Sequence, residues 1–372
     1  MLCMILVSCT GQKTGKENDN NDKIAIEVGE IKFPPQDVLQ LKSYYLSSSV
    51  HVDSIDYLIG YNYRLHSLDC MNLKSKSVTQ IVLPGDGPDA IVRLSGIYAQ
   101  SLDSVWISDE SERAFLIDSV GTIKRMIDLK KYLEDQEQLL INTNYAMFTS
   151  HLFYNASRHS LMFLVKHTPS NTFIVKEVFI DEVGKMATYQ LSSSKVVPDM
   201  SKGYAYINFP NVNFVGENIV YNYPVESSIY MLDIRTNERK YILADSHYTS
   251  NIIEKCTTSG DYATLEKHWL ENSHFYDITY LPKYKIYARL HADKVDFDEK
   301  KGMEKLINER DLYLMLFDEN MEKIGETKLS NCRYSPFTSW NATYGGIALF
   351  VDNVLDEKNN TDDLTIDIIS LK

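Results

Sequence analysis

Short apolar or alternating runs, each ended by a turn, recur along this chain from Lys23 to its end. Four segments show the pattern. Tyr57 to Leu83 reads YLIGYNYRLHSLDCMNLKSKSVTQIVL, and Ser104 to Leu129 reads SVWISDESERAFLIDSVGTIKRMIDL. Asn218 to Leu243 reads NIVYNYPVESSIYMLDIRTNERKYIL, and Asp311 to Leu329 reads DLYLMLFDENMEKIGETKL. In each, a strand such as AFLID, IYMLD or YLMLFD is followed by a turn with Gly, Asn or Lys and a second strand, which is a hairpin pattern. Asp118, Asp233 and Asp318 close the first strand of such pairs. An aspartate there suits a turn start, because its side chain accepts backbone N–H groups. Leu152 to Leu191 is a longer unit of the same kind. Asp277 to Leu290 pairs with 311–329 across an inserted loop, and GGIALFVDN and LTIDIISL end the chain.

The units number about six and average roughly 50–60 residues, a period that points to a propeller. One blade cannot bury both of its faces, whereas blades packed around an axis bury them and leave only short edges. The reading is all-β, a six-bladed β-propeller over 23–372 as a single domain, with one or two short helical insertions. Lys23 to Val28 (KIAIEV) is expected beside LTIDIISL, closing the ring. A pair of β-sandwiches is the competing architecture and accounts less well for the spacing. The 25 tyrosines and 11% aromatic content favour strands. Helical spacing occurs in Ile127–Leu140 and in Tyr262–Asn272, where Tyr262, Leu265 and Trp269 share a face. Phe297–Arg310 is a charged insertion, helical or without fixed structure.

Gly85-Asp86-Gly87-Pro88-Asp89 and the following LSGIYAQSLDSVWISDESERAFLIDSVGTI resemble the blades of NHL-like and TolB-like six-bladed propellers. Taken whole, the chain resembles the propeller lipoproteins of Bacteroides-type bacteria grouped as domain-of-unknown-function family 4221. That resemblance implies a fold and an address, and no catalytic residue. Gly87-Pro88 reads as a rigid turn; no helix N-terminus follows it to make a phosphate cradle.

The chain opens with MLCMILVSC and gives way at once to TGQKTGKENDNND. Leu6-Val7-Ser8-Cys9 matches a bacterial lipobox, so 1–8 reads as a lipoprotein signal peptide, Cys9 as the lipidated residue and 9–22 as the anchor and its flexible tether. No Lys or Arg precedes the apolar run, a departure from the usual basic start. Glu17, Asp19 and Asp22 resemble the acidic export signal of surface-exposed lipoproteins, and a solvated linker accounts for them as well. The expected address is the bacterial outer membrane, periplasmic or surface-exposed, with the membrane a partner through the lipid. No apolar run reaches the ~20 residues of a spanning helix. A net charge of −13 repels a polyanion, so no nucleic-acid partner is expected. Cys70, Cys256 and Cys332 are too widely spaced for a metal knuckle, and sequence leaves open whether any two pair.

Motifs for chemistry are missing. There is no Gly-x-Ser-x-Gly and no His-Glu-x-x-His, and no catalytic residue, metal ligand or cofactor is assigned. His151 and His167 would face each other if their hairpin turned at His159, offering two imidazoles to a metal. His291, Asp293, Asp296, Asp298 and Glu299 crowd one segment and offer oxygen ligands for calcium, although the spacing fits no calcium loop and a solvated insertion explains it. Asp352–Asp363 reads as an exposed loop. Aromatic residues near turns remain: Tyr204, Tyr206, Phe209, Tyr221, Tyr223, Tyr334, Phe337, Trp340 and Tyr344. Rings at blade entries can stack on a sugar or pack a peptide, and they serve equally to fill the core between blades. Asn208, Phe209, Tyr221, Tyr223, Tyr334, Phe337 and Trp340 are the candidate binding face. The expected role is a non-catalytic binding module for an envelope protein, peptide or glycan. The alternative is a propeller enzyme or sensor with a metal-assisted site in the central channel, its ligands drawn from several blades. A structural envelope subunit is a third reading.

Overall fold

Each sequence unit folds into one antiparallel sheet, and the sheets follow one another around an axis. The computed structural model describes residues 25–34, 41–140, 152–196, 209–256, 261–336, 340–358 and 362–372. The signal peptide, Cys9, the tether and Lys23 lie outside the described residues. Strand β1 (Ile26–Phe33) precedes the first blade. Blade 1 is β2 (Ser47–Val52), β3 (Ile55–Asn62), β4 (Ser67–Asn72) and β5 (Val78–Val82). Blade 2 is β6 (Leu94–Ser101), β7 (Ser104–Asp109), β8 (Arg113–Ile117) and β9 (Ile123–Asp128).

Blade 3 opens with two short strands, β10 (Glu137–Leu139) and β11 (Phe153–Asn155), which pair with the two ends of β12 (Ser160–His167). Strands β13 (Thr172–Phe179) and β14 (Met186–Gln190) complete it. Blade 4 is β15 (Asn211–Val215), β16 (Asn218–Asn222), β17 (Ile229–Asp233) and β18 (Arg239–Ile242). Helix α1 (Tyr262–Leu270) comes before blade 5, whose strands are β19 (His274–Leu281), β20 (Ile286–Ala292), β21 (Leu312–Phe317) and β22 (Lys323–Lys328), with helix α2 (Met303–Asn308) between β20 and β21. Blade 6 is β23 (Trp340–Ala342), β24 (Ile347–Phe350), β25 (Leu364–Leu371) and, as its fourth strand, β1. The chain is therefore the expected all-β six-bladed propeller.

The burial pattern follows from radial packing. Middle strands are apolar on both faces, because a neighbouring blade covers each: β20 and β21 are buried along their whole length. Outer strands alternate or lie open, as in β14 and β18. Six apolar clusters result, one at each blade-to-blade interface. The hairpin aspartates act as expected. Asp118 accepts the N–H groups of Val120 (3.1 Å) and Thr122 (2.8 Å). Asp233 accepts those of Arg235 and Thr236, and Asp318 those of Asn320 and Glu322. Asn72 does the same in blade 1.

Two helical expectations change. Ile127–Leu140 is not a helix: β9 runs to Asp128, a single 3-10 turn spans Leu129–Tyr132, and β10 follows. Its apolar spacing serves an interface instead, with Leu129 and Leu139 buried between blades 2 and 3. Helix α1 forms as expected, but His268, Trp269 and Leu270 are its buried residues, while Tyr262 is exposed. The insertion 297–310 contains α2, whose Leu306 joins the core between blades 3 and 4.

Ring closure rests on β1. It pairs with β25 over eight residue pairs, from Ile26↔Leu371 to Phe33↔Leu364. Arg333, in the connection from blade 5 to blade 6, clamps this closure. Its Nε and Nη2 donate to the fully buried Asp367 of β25 at 2.5 and 2.9 Å, and Nη2 also reaches Glu30 of β1 at 2.9 Å. The phenol of Tyr334 donates to Asp367 at 2.7 Å. In blade 1, Tyr44 donates to the buried Asp69 at 2.7 Å, and its ring fills the space where a Cβ on Gly60 would stand. Removing one partner of a buried pair leaves an unpaired charge. Arg333→Ala is therefore expected to cost roughly 2 kcal/mol or more, a figure already reduced for the part-exposed guanidinium. Glu30→Ala, at an exposed carboxylate, should cost under about 1 kcal/mol. Urea unfolding midpoints of the two variants check the order.

Candidate binding face

The two ends of the propeller are built differently. Strands of successive blades are joined at one end by long connections: 34–46, 83–93, 129–136, 191–210, 243–273 and 329–339. The second-to-third-strand links 293–311 and 351–363 lie at this end too. Both helices are here, as is the turn at Gly87 (φ +87°). The other end carries tight hairpins: 53–54, 102–103, 156–159, 216–217, 282–285 and 343–346 near the axis, and 73–77, 118–122, 180–185, 234–238 and 318–322 further out.

Between the ends, side chains tie each first strand to the next. Ser49 Oγ donates to the Ala342 carbonyl and Asn341 Nδ2 to Ser47 Oγ (2.6 Å), joining blades 6 and 1. Ser48 Oγ accepts the Ala99 N–H at 3.0 Å, joining blades 1 and 2. The ring of Phe153 packs on Tyr98 and on Phe214, with centroids 6.4 and 5.5 Å apart, across blades 2, 3 and 4. Asn211 and Asn213 donate to the carbonyls of Phe275 (3.0 Å) and Ile278 (2.8 Å), joining blades 4 and 5. Trp340 Nε1 donates to Asp277 Oδ1 at 2.8 Å, joining blades 5 and 6. These first-strand polar groups are thus engaged in holding the ring.

The candidate residues separate. Asn208 and Phe337 lie outside the described residues, as do His151, Tyr204 and Tyr206. Tyr221 and Tyr223 do not reach a surface. They are 2% and 1% exposed in the core between blades 3 and 4, where Tyr221 stacks on Tyr230 at 5.2 Å. Their phenols tie the connection into blade 4: Tyr221 Oη accepts the Ser192 N–H, and Tyr223 donates to the Ser192 carbonyl. Burial raises both phenol pKa values. Phe209 is half-buried, edge-on to Phe173, with the Lys166 ammonium over its ring. Tyr334 and Trp340 do meet, in one small apolar cleft between blades 5 and 6 with Tyr276 and Pro336. Tyr276 donates to the Pro336 carbonyl there at 2.8 Å. The rings that the long-connection end does present are Tyr45, Tyr63, Tyr248 and Tyr262, all more than 40% exposed. Sequence reading missed them because a strand's last residue and a loop's first look alike until the sheet register is known.

Among the described residues no three His, Cys, Asp or Glu side chains converge as a metal site. The position paired with His167 on the strand beside β12 is Glu137, from β10, and the His167 imidazole bonds to Ser170 Oγ at 2.6 Å. His291 is buried in blade 5, where its imidazole bonds to Glu326. Asp293 and Asp298 instead accept the N–H groups of Lys294 and Lys300. Cys70, Cys256 and Cys332 form no disulfide with one another.

His291 belongs to a buried polar cluster that no motif announced. Its Nε2 lies 2.8 Å from Glu326 Oε1, and both side chains are fully buried. A carboxylate only accepts, so Nε2 carries the hydrogen, and Nδ1 accepts from Thr249 Oγ1 at 3.2 Å. Phe275 and Tyr313 cover the two faces of the imidazole at 5.4 and 5.0 Å, and Tyr248 stacks on Tyr313. The order carboxylate, imidazole, hydroxyl matches a catalytic relay. Here both nitrogens are engaged and both faces covered, and the cluster fastens the connection 245–251 to blade 5. Burial alone would raise the Glu326 pKa. Hydrogen bonds from His291, Ser246 (2.6 Å) and the His247 N–H (3.0 Å) outweigh it and hold the carboxyl below its usual range. Burial lowers the His291 pKa, keeping the ring neutral.

A depressed histidine binds its proton more readily unfolded than folded, so stability falls as pH drops below about 6.5. Glu326, also depressed, adds stability that is lost only as pH falls below about 4.3. Unfolding free energy should decline between pH 7.5 and 5, with His291 contributing at most ~1.4 kcal/mol per pH unit. His291→Phe keeps the stacked ring and should flatten that slope while lowering the plateau, because Glu326 loses a donor. Urea melts across the pH range read both.

Comparison with known proteins agrees with the fold. A family model described as a domain of unknown function (DUF4221) matches residues 17–328. Among solved structures, a DUF4221 member from Bacteroides vulgatus ATCC 8482 is similar over 95% of this chain and 99% of its own, with a TM-score of 0.77 at 14% identity. A Bacteroides fragilis NCTC 9343 protein described as exported is similar over 93% of this chain and 95% of its own, with a TM-score of 0.57 at 12% identity. At such identities the likeness is one of fold. No curated protein matches the chain.

Proposed function

The chain belongs to the DUF4221 family, and from that premise we propose that it is a non-catalytic binding propeller of the cell envelope, anchored through Cys9 and presenting its long-connection end to a protein, peptide or glycan. The observation that carries this reading is the difference between the two ends. One end holds the helices, the long connections and the exposed rings of Tyr45, Tyr63, Tyr248 and Tyr262, while Ser47, Ser48, Ser49, Asn211, Asn213 and Asn341 of the first strands are engaged in joining blades. Exposed tyrosines offer rigid area at low entropy cost, which suits recognition. The lipobox at Leu6-Val7-Ser8-Cys9 supports the anchor, and no helix among the described residues is long and apolar enough to cross a membrane.

Crosslinking capture from native cells with a C-terminally tagged chain tests the reading. The wild type should sit in the membrane fraction and capture one envelope component. Cys9→Ala should move to the soluble fraction and lose most of that capture. Tyr45→Ala with Tyr63→Ala should stay in the membrane and reduce capture at least several-fold. Undiminished capture by the double variant excludes these rings from the binding face, and a membrane-bound Cys9→Ala chain excludes the lipid anchor.

A further inference from the structure

We infer that the tight-hairpin end is the membrane-facing surface of the anchored protein and that the long-connection end points away from the bilayer. This rests on the lipid-anchored reading above. Three independent features of the fold point the same way.

The first is connectivity. Strand β1 runs from Ile26 to Phe33 and then enters the long connection 34–46. Its first residue therefore stands at the tight-hairpin end, where the Lys372 N–H also bonds to the Ala25 carbonyl at 3.1 Å. Any tether from Cys9 joins the body at that end. A flexible chain of about sixteen residues has a root-mean-square span of only ~20–24 Å. Opposite ends of a six- to eight-residue strand are themselves ~20–27 Å apart. The tether thus holds one end close and leaves the other a further strand length out.

The second is surface chemistry. The hairpins 73–77 and 282–285 carry Lys74, Lys76, Lys283 and Lys285 and no acid. All four are exposed. Val120 and Val183 stand at the tips of 118–122 and 180–185, 78% and 100% exposed, and Tyr344 is exposed in 343–346. Acids flank the valine tips in 118–122 and 180–185, so the two lysine hairpins are the part of this end that suits a headgroup surface.

The third is charge at the opposite end. The connection 351–363 holds Asp352, Asp356, Glu357, Asp362 and Asp363 against one base of its own, Lys358, and acids also outnumber bases in 243–273 and 293–311. The tight-hairpin end carries acids too, as in 180–185 and 318–322, but in smaller excess over its bases, so an anionic bilayer repels the long-connection end more strongly.

The test uses the full lipidated chain in vesicles of phosphatidylethanolamine and phosphatidylglycerol. With Cys332 replaced by serine, and Cys70 and Cys256 buried, a fluorophore is placed through Lys283→Cys or Lys300→Cys, at the two ends of blade 5. A headgroup-attached spin label quenches each. The expected result is quenching at position 283 at least twofold above that at 300. Equal quenching, or the reverse order, overturns the orientation while leaving the anchor intact. Flotation of the same samples reads the anchor separately: a chain that fails to float with the vesicles overturns the anchored reading and this inference with it.

Discussion

A four-stranded blade with apolar residues on both faces has no stable existence alone, and everything else in this molecule answers that constraint. Strands such as β20 and β21 are buried from end to end because blades 4 and 6 cover them. Six interfaces must all be filled, and the sixth exists only if the ring closes. Closure is the task of β1, which leaves the N-terminal side of the chain to become the outer strand of the last blade. The strongest polar ties then gather where a failure would open the ring. Arg333 bridges Asp367 and Glu30, so the connection from blade 5, the third strand of blade 6 and the closing strand share one guanidinium. Such a bidentate pair adds geometry as well as energy, and it holds the register in which Glu30 faces Asp367.

The same device recurs in weaker form around the ring. A buried carboxylate in a third strand accepts a tyrosine phenol: Asp69 from Tyr44, Asp367 from Tyr334, Glu177 from Tyr189. In the first two the tyrosine comes from the connection that leads into the blade, so the tie locks the arriving chain onto the sheet it is about to build. Burying a carboxylate is costly unless its lone pairs are met, and here they are. Asp69 also accepts from Asn62 and Gln80, and Glu177 from Arg158 and Ser160. Much of the tyrosine content therefore belongs to architecture. Tyr221 and Tyr223 show it most plainly, since their phenols serve the backbone of Ser192 and their rings serve the core.

The fold was legible because its determinants are local and repeated. Asp118, Asp233 and Asp318 end their strands in the manner the turn chemistry requires, and an N-terminal strand does close the ring beside LTIDIISL, although it spans Ile26–Phe33 and shares only Ile26 to Val28 with the expected KIAIEV. Ile127–Leu140 misled because an interface between two blades and the face of a helix can ask for the same apolar spacing; the 3-10 turn at Leu129–Tyr132 and the short β10 satisfy it without a helix. The site was less legible for a different reason. Whether a ring near a turn is buried depends on which neighbour the next blade brings, and that is long-range. Tyr334 and Trp340 do come together, but Tyr334 is fixed by Asp367 and Trp340 by Asp277. The cluster of Thr249, His291 and Glu326 joins residues from three separate elements, and no spacing in sequence could announce it.

These constraints also explain why so little identity accompanies so much shared shape. A middle strand needs side chains that fill the space between blades, a tight hairpin needs a side chain that accepts two N–H groups, and the buried carboxylates of β4, β13 and β25 need their donors. Each requirement is met by several residue types. Agreement at 14% identity over almost the whole chain is then what a fold held by pattern should give. Recognition has no such freedom. It depends on particular side chains at one surface, and the connections at the long end are the part of this chain where the sheet makes the fewest demands. On the binding reading proposed above, specificity would reside in 243–273, 293–311 and their neighbours, with the blades holding those segments at fixed distances from one another.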